Sequence, residues 1–192
     1  MFDEVDGDLP PQLEAIERDT RAIGFDMASD RRTGALLRVL SASRKGACVL
    51  ELGTGTGLAT SWMLDGMDER SRLLTVDNDE TTLAVARRHL GADSRLTIRC
   101  ADANATIGEL AAERFDLIFA DTWGGKYESL EPTLALLAPG GLYVIDDMLP
   151  QPNWPQGHAP KVEKLIAALT RDTRLRTVRL GWSSGLILAT RR

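Results

Sequence analysis

The segment that decides the fold runs from Ala47 to Leu58 and reads ACVLELGTGTGL. Its first six residues form an apolar run typical of a buried strand. Three glycines, Gly53, Gly55 and Gly57, follow at alternate positions, and a helical pattern begins directly after them. Glycines let the backbone turn tightly and approach a ligand, while the start of a helix offers unpaired N–H groups. The segment therefore predicts a strand–turn–helix unit with a ligand at the turn.

The glycine spacing argues against a dinucleotide site. A dinucleotide fingerprint places its third glycine three residues after the second, and that position here is Leu58. A nicotinamide-dependent oxidoreductase is therefore a weaker alternative. A ligand-free tight turn and a non-catalytic cofactor-binding module are two further alternatives.

Outward from this segment, short apolar runs alternate with helical periods. The predicted strands are 47–52, 72–77, 95–99, 115–120 and 141–146, and the predicted helices between them are 57–67, 79–90, 104–112 and 126–137. Such repeated strand–helix alternation implies an α/β fold, with a parallel sheet covered by helices on both faces.

The two ends of the chain depart from this alternation. Two amphipathic helices are predicted at 11–23 and 33–42, and a proline-rich loop at 150–160 precedes a helix at 161–170 and strands at 175–180 and 186–190. The short connection between the last two strands predicts a hairpin, so the last strand should run antiparallel to its neighbour. We predict one domain over residues 1–192, with cap helices in 1–45 and the core in 46–192.

Composition narrows the function classes. The 192 residues carry a net charge of −5 and are 43% hydrophobic, which argues against disorder and against a nucleic-acid partner. The acidic N-terminus does not resemble a signal peptide, and no apolar run approaches the ~20 residues that span a membrane. Cys48 and Cys100 lie in strand-like runs and are predicted to be buried free thiols. We therefore expect a cytoplasmic protein with a small-molecule partner.

Two acids follow predicted strands. Asp77 ends the second strand, and in a doubly wound sheet the carboxyl ends of strands one and two lie side by side at the ligand crevice. A carboxylate there can accept both hydroxyls of a ribose, whereas the role of helix N-cap is better assigned to Asp79. Asp102 follows the third strand and is placed to accept a hydrogen bond from an adenine amino group.

Four motifs in order resemble a known family. They are ELGTGTG (51–57), LLTVDND (73–79), Ala101-Asp102-Ala103 and LLAPGGLYVIDD (136–147). Together they resemble class I S-adenosylmethionine-dependent methyltransferases, in particular the catechol and caffeoyl-CoA O-methyltransferase group. The resemblance extends from about Met27 to Thr190. It implies a Rossmann-like three-layer sandwich whose seven-stranded sheet is mostly parallel, with an antiparallel last strand.

The resemblance also implies the cofactor and its contacts. S-adenosylmethionine would place its methionine part on the glycine turn, its ribose on Asp77 and its adenine near Asp102, and Met27 matches a family methionine that lies against the cofactor. For Trp123 three roles stay open from the sequence: it packs on the adenine, it frames the acceptor, or it is an ordinary buried tryptophan. The predicted cofactor-binding residues are Met27, Glu51, Gly53, Thr54, Gly55, Gly57, Asp77, Asn78, Asp102, Ala103, Asp121 and Trp123.

Three further carboxylates should meet at the same crevice. Asp121 follows strand four, and Asp146 and Asp147 follow strand five. Like charges this close need a cation or shared protons, and oxygen ligands suit Mg²⁺ or Ca²⁺. In the resembling family the matching residues bind a divalent metal that chelates two vicinal oxygens of the acceptor. The resemblance thus assigns metal binding to all three aspartates. The alternative is that Asp121 contacts the cofactor and that Asp146 and Asp147 cap a loop.

The sequence departs from that family pattern at two positions. Asp147 stands where the family usually has asparagine, and Gly124 stands where it has a lysine near the nucleophile. Lys126, two residues further on, either reaches inward or lies exposed at a helix start. We predict Asp121, Lys126 and Asp146 as catalytic residues. The alternative is a metal-independent enzyme with Lys126 or His158 as its base.

The sequence therefore predicts O-methylation of a small hydroxylated, aromatic acceptor, assisted by a divalent metal or by a side-chain base. The acceptor follows from the family analogy, because a fold does not fix a substrate. A homodimer formed through the N-terminal helices is a further expectation.

Overall fold

A computed structural model describes residue 5, residues 7–151 and residues 154–192. Its strands are β1 (Cys48–Leu52), β2 (Arg72–Asp77), β3 (Leu96–Cys100), β4 (Phe115–Ala120), β5 (Leu137–Ile145), β6 (Leu175–Leu180) and β7 (Leu186–Arg191). Its helices are α1 (Leu13–Ala22), α2 (Arg31–Ala42), α3 (Leu58–Gly66), α4 (Glu80–Leu90), α5 (Ala103–Glu109), α6 (Trp123–Lys126), α7 (Leu130–Ala135) and α8 (His158–Arg171). None of the helices in this described part combines the length and the apolar character that crossing a membrane requires.

The seven strands form one sheet in the order β3-β2-β1-β4-β5-β7-β6. The pairs from β3 to β5 are parallel, whereas β7 runs antiparallel to both β5 and β6. The predicted mostly parallel sheet with a reversed last strand is confirmed. The order changes direction between β1 and β4, so the carboxyl ends of these strands border a crevice of the kind that holds ligands in such sheets.

Helices cover both faces of the sheet. Side chains such as Val49 and Phe119 pack with α1 to α4 on one face, while Leu50 and Ile118 pack with α5, α7 and α8 on the other. The central strand β4 is almost continuously apolar because both of its faces are buried. The predicted three-layer arrangement is confirmed.

Three local predictions were wrong. The helix predicted at 126–137 is divided into α6 and α7, because Gly125 (φ +90°) and Ser129 (φ +54°) adopt left-handed conformations that a helix does not accommodate. Strand β5 starts at Leu137, four residues before its predicted start. Both cysteines are free thiols, as predicted, but Cys100 is exposed and Cys48 half-buried, since Cys100 lies on the edge strand β3.

The N-terminal helices reach the edge of the crevice. Helix α2 packs along α3, and α1 contacts α3 and α4. Trp182 in the β6–β7 hairpin donates a hydrogen bond from Nε1 to the carbonyl of Arg32 (3.0 Å), and Thr33 donates to Ser183 (3.0 Å). These bonds join the start of α2 to the hairpin, which lies beside the carboxyl end of β5. The segment before α2 therefore crosses the crevice.

Gly34 sets how closely α2 approaches α3. A Cβ atom at this position would lie 2.2 Å from Cδ1 of the buried Trp62 ring. We expect Gly34→Ala to destabilise the protein by about 1–3 kcal/mol through overpacking. Gly108→Ala is the matched control, because a Cβ there meets nothing within 4 Å and alanine favours the helix α5. Urea unfolding of both variants checks this, and equal midpoints would contradict it.

Candidate active site

The glycine turn after β1 presses against the end of β4. Gly53 has φ +102°, and a Cβ atom on it would lie 2.9 Å from the backbone carbon of Asp121. Gly55 also has a left-handed conformation (φ +52°), and the ring of Phe25 lies over it. Larger residues would be strained at both positions and would push the neighbouring chains apart. The turn therefore exposes its backbone to the crevice at close range.

Asp77 is hydrogen-bonded to that turn. The N–H of Gly55 donates to Oδ2 of Asp77 (2.8 Å), and the N–H of Asp79 donates to its Oδ1 (3.1 Å). The glycine turn and the acid at the end of β2 thus lie at one place, as the sequence predicted. Asp79 caps α4 by accepting from the N–H of Thr81 (2.8 Å), which confirms the separate capping role.

A cleft of about 700 Å³ opens along the carboxyl edge of the sheet. Residues 25–30 line one side of it, so Met27 reaches the cleft although its side chain is 66% exposed. The predicted residues that line the cleft are Met27, Gly53, Thr54, Gly55, Asp77, Asn78, Asp121, Trp123, Lys126, Asp146 and Asp147. A cleft of this size and composition suits a small-molecule ligand.

Four predicted residues lie outside the lining of this cleft. Asp102 is exposed and caps α5, accepting from the N–H of Ala105 (2.8 Å), and Ala103 follows it as the first residue of that helix. Gly57 precedes α3 and faces α4, where a Cβ would lie 3.0 Å from Ala86. Glu51 is fully buried behind the turn. For these residues the predicted cofactor contacts stay predictions.

Glu51 holds the turn from inside the protein. Its Oε2 accepts hydrogen bonds from the hydroxyls of Thr60 in α3 and Thr75 in β2 (both 2.5 Å). Burial raises the pKa of Glu51 to about 8, and the two hydroxyls offset part of that effect. The carboxyl group is therefore largely protonated at neutral pH, and it joins the helix after the turn to the strand that carries Asp77.

Lys126 lies inside the cluster of carboxylates. Its side chain is buried, with Nζ 3.7 Å from Oδ1 of Asp121 and 2.9 Å from the carbonyl oxygen of Asp146, to which it donates. The inward orientation, one of the two that the sequence allowed, is the one observed. Burial and the charge of Asp146 raise the pKa of Asp121 well above its usual range, while Lys126 lowers it. Ser29 donates to Oδ2 of Asp121 (2.9 Å).

Asp146 is also held by protein groups. Its Oδ1 accepts from the Ser184 hydroxyl and from the N–H of Asp147 (2.8 Å). Burial raises the pKa of Asp146 to about 6, against the opposing effect of the Ser184 bond. Asp147 has a left-handed backbone (φ +61°), which turns its half-buried side chain to the cleft wall. Oδ2 of Asp121 and Oδ1 of Asp146 thus already accept hydrogen bonds from protein groups.

A divalent ion fits this arrangement poorly. Among residues 5, 7–151 and 154–192 the structure has no group of three His, Cys, Asp or Glu side chains arranged to hold a metal. A lysine ammonium lies beside two of the predicted ligands, and its positive charge repels a second cation. The metal role of Asp121, Asp146 and Asp147 therefore stays a prediction that this geometry does not support.

Aromatic side chains form the wall beside the carboxylates. The Tyr127 hydroxyl lies 3.0 Å from Nε2 of His158, and the rings of Trp123 and Trp154 pack on the same histidine. His158 is buried at the start of α8. Burial lowers the pKa of His158, and the charge of Lys126 acts in the same direction. The imidazole is therefore neutral at pH 7.

Sequence reasoning missed several residues of the site, among them Ser184 and Ser29. Ser184 reaches Asp146 because Met148 and Leu149 pair with the hairpin after β6, through bonds to Gly185 and Ser184 (3.0 and 2.8 Å). The predicted hairpin gave a usable signal for this contact, since an antiparallel β7 must return beside the end of β5. Ser29 lies in an irregular segment before α2, and no local pattern indicates its bond to Asp121.

Comparison with known proteins gives the chain its family. Residues 50–148 match the family model described as "Methyltransferase domain". This chain belongs to that methyltransferase family. The matched span starts in β1 and ends just after Asp146 and Asp147, so it includes the glycine turn, Asp77 and the carboxylate cluster.

Individual relatives of this methyltransferase share about a fifth to a third of its residues. A "Putative O-methyltransferase" of Mycobacteroides abscessus is 30% identical over 168 residues, which cover 82% of this chain and 78% of that protein. A "Catechol O-methyltransferase" of Niastella koreensis is 32% identical over 123 residues, 60% of this chain and 56% of that protein. The solved O-methyltransferase of Bacillus cereus in complex with SAH shares the fold, with a TM-score of 0.84 at 21% identity and coverage of 98% and 93%.

The buried Glu51 makes the stability of this methyltransferase depend on pH. Because its pKa is higher in the folded state, its contribution is complete below its unfolded value near 4.5 and is lost as the pH rises through about 8. The loss amounts to roughly 5 kcal/mol across this range. Glu51→Gln stays neutral and should flatten the fall of Tm between pH 5 and pH 8. An equal fall in both proteins would contradict this assignment.

Proposed function

We propose that this methyltransferase transfers a methyl group from S-adenosylmethionine to a hydroxyl oxygen of a small aromatic acceptor. The observation that carries the proposal is the bond between Gly55 and Asp77, which holds an exposed backbone turn and a carboxylate at the same end of the cleft. A nucleoside with a charged tail needs these two features side by side.

The residues around the turn fit the methyl donor. Asp77 has acceptor capacity beyond its two backbone partners, so it can bind ribose hydroxyls. The turn offers backbone groups to the methionine part, and Phe25 and Met27 would cover it from the segment before α2. The glycine spacing disfavours a dinucleotide, because position 58 carries a leucine where a third glycine belongs.

Relatives support the donor and the oxygen acceptor. The relatives in Mycobacteroides abscessus and Niastella koreensis are named O-methyltransferases, and the Bacillus cereus structure was solved with SAH. The name of the Niastella protein specifies catechol as its acceptor. For this chain we propose only the broader class of acceptor, an aromatic hydroxyl compound.

The acceptor would enter at the aromatic end of the cleft. Trp123 is 41% exposed, and its ring lies under the ammonium of Lys161 (3.8 Å to the ring centre). Together with Trp154 and His158 it offers flat apolar surface next to Asp146 and Lys126. Such a wall favours a planar ring whose hydroxyl faces the charged cluster.

The reaction needs close positioning and one proton transfer. The acceptor oxygen forms a bond to the methyl carbon as the carbon–sulfur bond breaks, and the electron pair of that bond stays on sulfur, giving S-adenosylhomocysteine. The hydroxyl proton leaves to a carboxylate or a neutral imidazole at the cleft wall, where Asp121, Asp146, Asp147 and His158 lie. Holding both molecules in line supplies much of the rate.

Cofactor binding tests the donor half of this proposal. We expect S-adenosylhomocysteine to bind the wild-type protein in titration calorimetry, and Asp77→Asn to weaken the affinity about 10- to 100-fold through lost bonds to a charged acceptor. Glu80→Gln is the control, because Glu80 is an exposed acid at the start of α4 that pairs with Arg87 outside the cleft. Binding of NADH without S-adenosylhomocysteine would overturn the proposal in favour of an oxidoreductase.

The acceptor half is tested at Trp123. We expect Trp123→Ala to raise KM for an aromatic hydroxyl acceptor about tenfold, because a ring contact of about 1–2 kcal/mol is lost, and to leave the Kd of S-adenosylhomocysteine unchanged. Radiolabelled methyl transfer to a panel of phenols measures the first quantity and calorimetry the second. A rise in Kd with unchanged KM would instead assign Trp123 to the adenine. Tight cofactor binding without product from any acceptor would indicate a non-catalytic module.

A further inference from the structure

We propose that the ammonium of Lys126 is the permanent cation of the carboxylate cluster, in the place that a divalent metal holds in the resembling family. This inference rests on the proposed function and concerns how the acceptor oxygen is stabilised during the transfer. It makes methyl transfer by this enzyme independent of metal ions.

The burial of Lys126 indicates a built-in charge. Its side chain is only 4% exposed, although lysine is rarely buried without partners because a charged group loses its hydration there. The partners are present: the Asp146 carbonyl accepts at 2.9 Å and an oxygen of Asp121 lies at 3.7 Å. A lysine held this way compensates the negative charges that the two aspartates bring to the cleft.

The backbone delivers Lys126 to this position through an irregular turn. Gly124 and Gly125 interrupt α6, with φ/ψ of −63°/128° and 90°/−30°, and thereby direct the next side chain inward. Position 124 itself does not have room for a lysine, because a Cβ there would lie 2.7 Å from the Cβ of Ala103. The glycine at position 124, where the family has a lysine, and the buried Lys126 therefore belong to the same irregular turn.

The same contacts leave the ammonium able to serve an acceptor. An ammonium has three N–H groups, and one of them is used by the Asp146 carbonyl. Lys126 also lines the cleft, together with Asp121, Asp146 and the aromatic residues. It can thus donate to the acceptor oxygen and stabilise the negative charge that develops when the hydroxyl proton leaves.

A fixed ammonium has a consequence for the acceptor. A metal chelates two vicinal oxygens, whereas an N–H donor needs one. We therefore infer that acceptors with a single hydroxyl on the ring are used as readily as catechols. The proposed substrate class is therefore broader than catechols, because it includes phenols that carry a single hydroxyl on a planar, apolar ring.

Metal binding and the Lys126 variant test this inference separately. In the wild-type protein we expect no saturable binding of Mn²⁺ by electron paramagnetic resonance up to about 1 mM, and the same turnover in EDTA as in Mg²⁺. Lys126→Met should reduce kcat about 100-fold or more, as expected when a donor to a developing oxyanion is removed. Its Kd for S-adenosylhomocysteine should stay within about threefold, since the turn and Asp77 are unaltered.

Lys164→Met is the matched control, because Lys164 is an exposed residue of α8 outside the cleft, and its kcat should equal that of the wild type. Stoichiometric Mn²⁺ binding that Asp146→Asn abolishes, or turnover that EDTA removes and Mg²⁺ restores, would overturn the inference. Unchanged kcat in Lys126→Met would also overturn it. If wild-type protein shows neither cofactor binding nor turnover, the proposed function fails instead, and the Mn²⁺ titration still decides the cation question.

Discussion

The hydrogen bond from Gly55 to Asp77 joins the turn after β1 to the end of β2. It forms only if the turn after β1 adopts left-handed conformations, which glycine permits, and if β2 ends beside β1 in parallel register. Gly53 must also lack a side chain, because the chain leaving β4 passes directly against it. The position of the cleft, its lining and the access of Asp121 to it all depend on this packed corner of the sheet.

Buried charge is the second constraint on the site. Glu51, Asp121, Asp146 and Lys126 all lie at the carboxyl edge with little or no exposure. Glu51 avoids the cost of burial by holding a proton, and the other three share hydrogen bonds and opposite charge. In our proposal this internal cation takes the place of an added ion, and the chain supplies it from a turn built on two glycines.

The sequence predicted the sheet because its pattern is repeated and local. The alternation of apolar runs and helical periods predicted which segments are strands and that most of them are parallel. The short connection at 181–185 predicted that β7 is reversed. The pairing of Asp77 with the glycine turn also followed from the rule that neighbouring parallel strands end together. The break at Gly125, the early start of β5 and the exposure of Cys100 did not follow, since they depend on backbone conformation and edge position.

Side-chain contacts across the sequence were harder to predict than positions on strands. Asp121 and Asp146 were expected at the cleft, yet their partners come from distant segments. The predicted hairpin indicated where Ser184 would lie, whereas no local pattern indicated Ser29. Asp102 and Glu51 matched motif positions but lie outside the cleft lining, where one caps a helix and the other supports the turn from behind. A sequence motif predicts which strand end a residue follows. The contacts of its side chain depend on the packing of distant segments around it.

We propose that the glycine turn and Asp77 bind one adenosyl-containing molecule. A crystal structure of the protein soaked with S-adenosylhomocysteine tests it most directly. We expect electron density with the ribose hydroxyls on the Asp77 carboxylate and the homocysteine carboxylate or amine against the backbone at residues 53–55. Density for the ligand at another surface, with the turn and Asp77 left uncontacted, would contradict it.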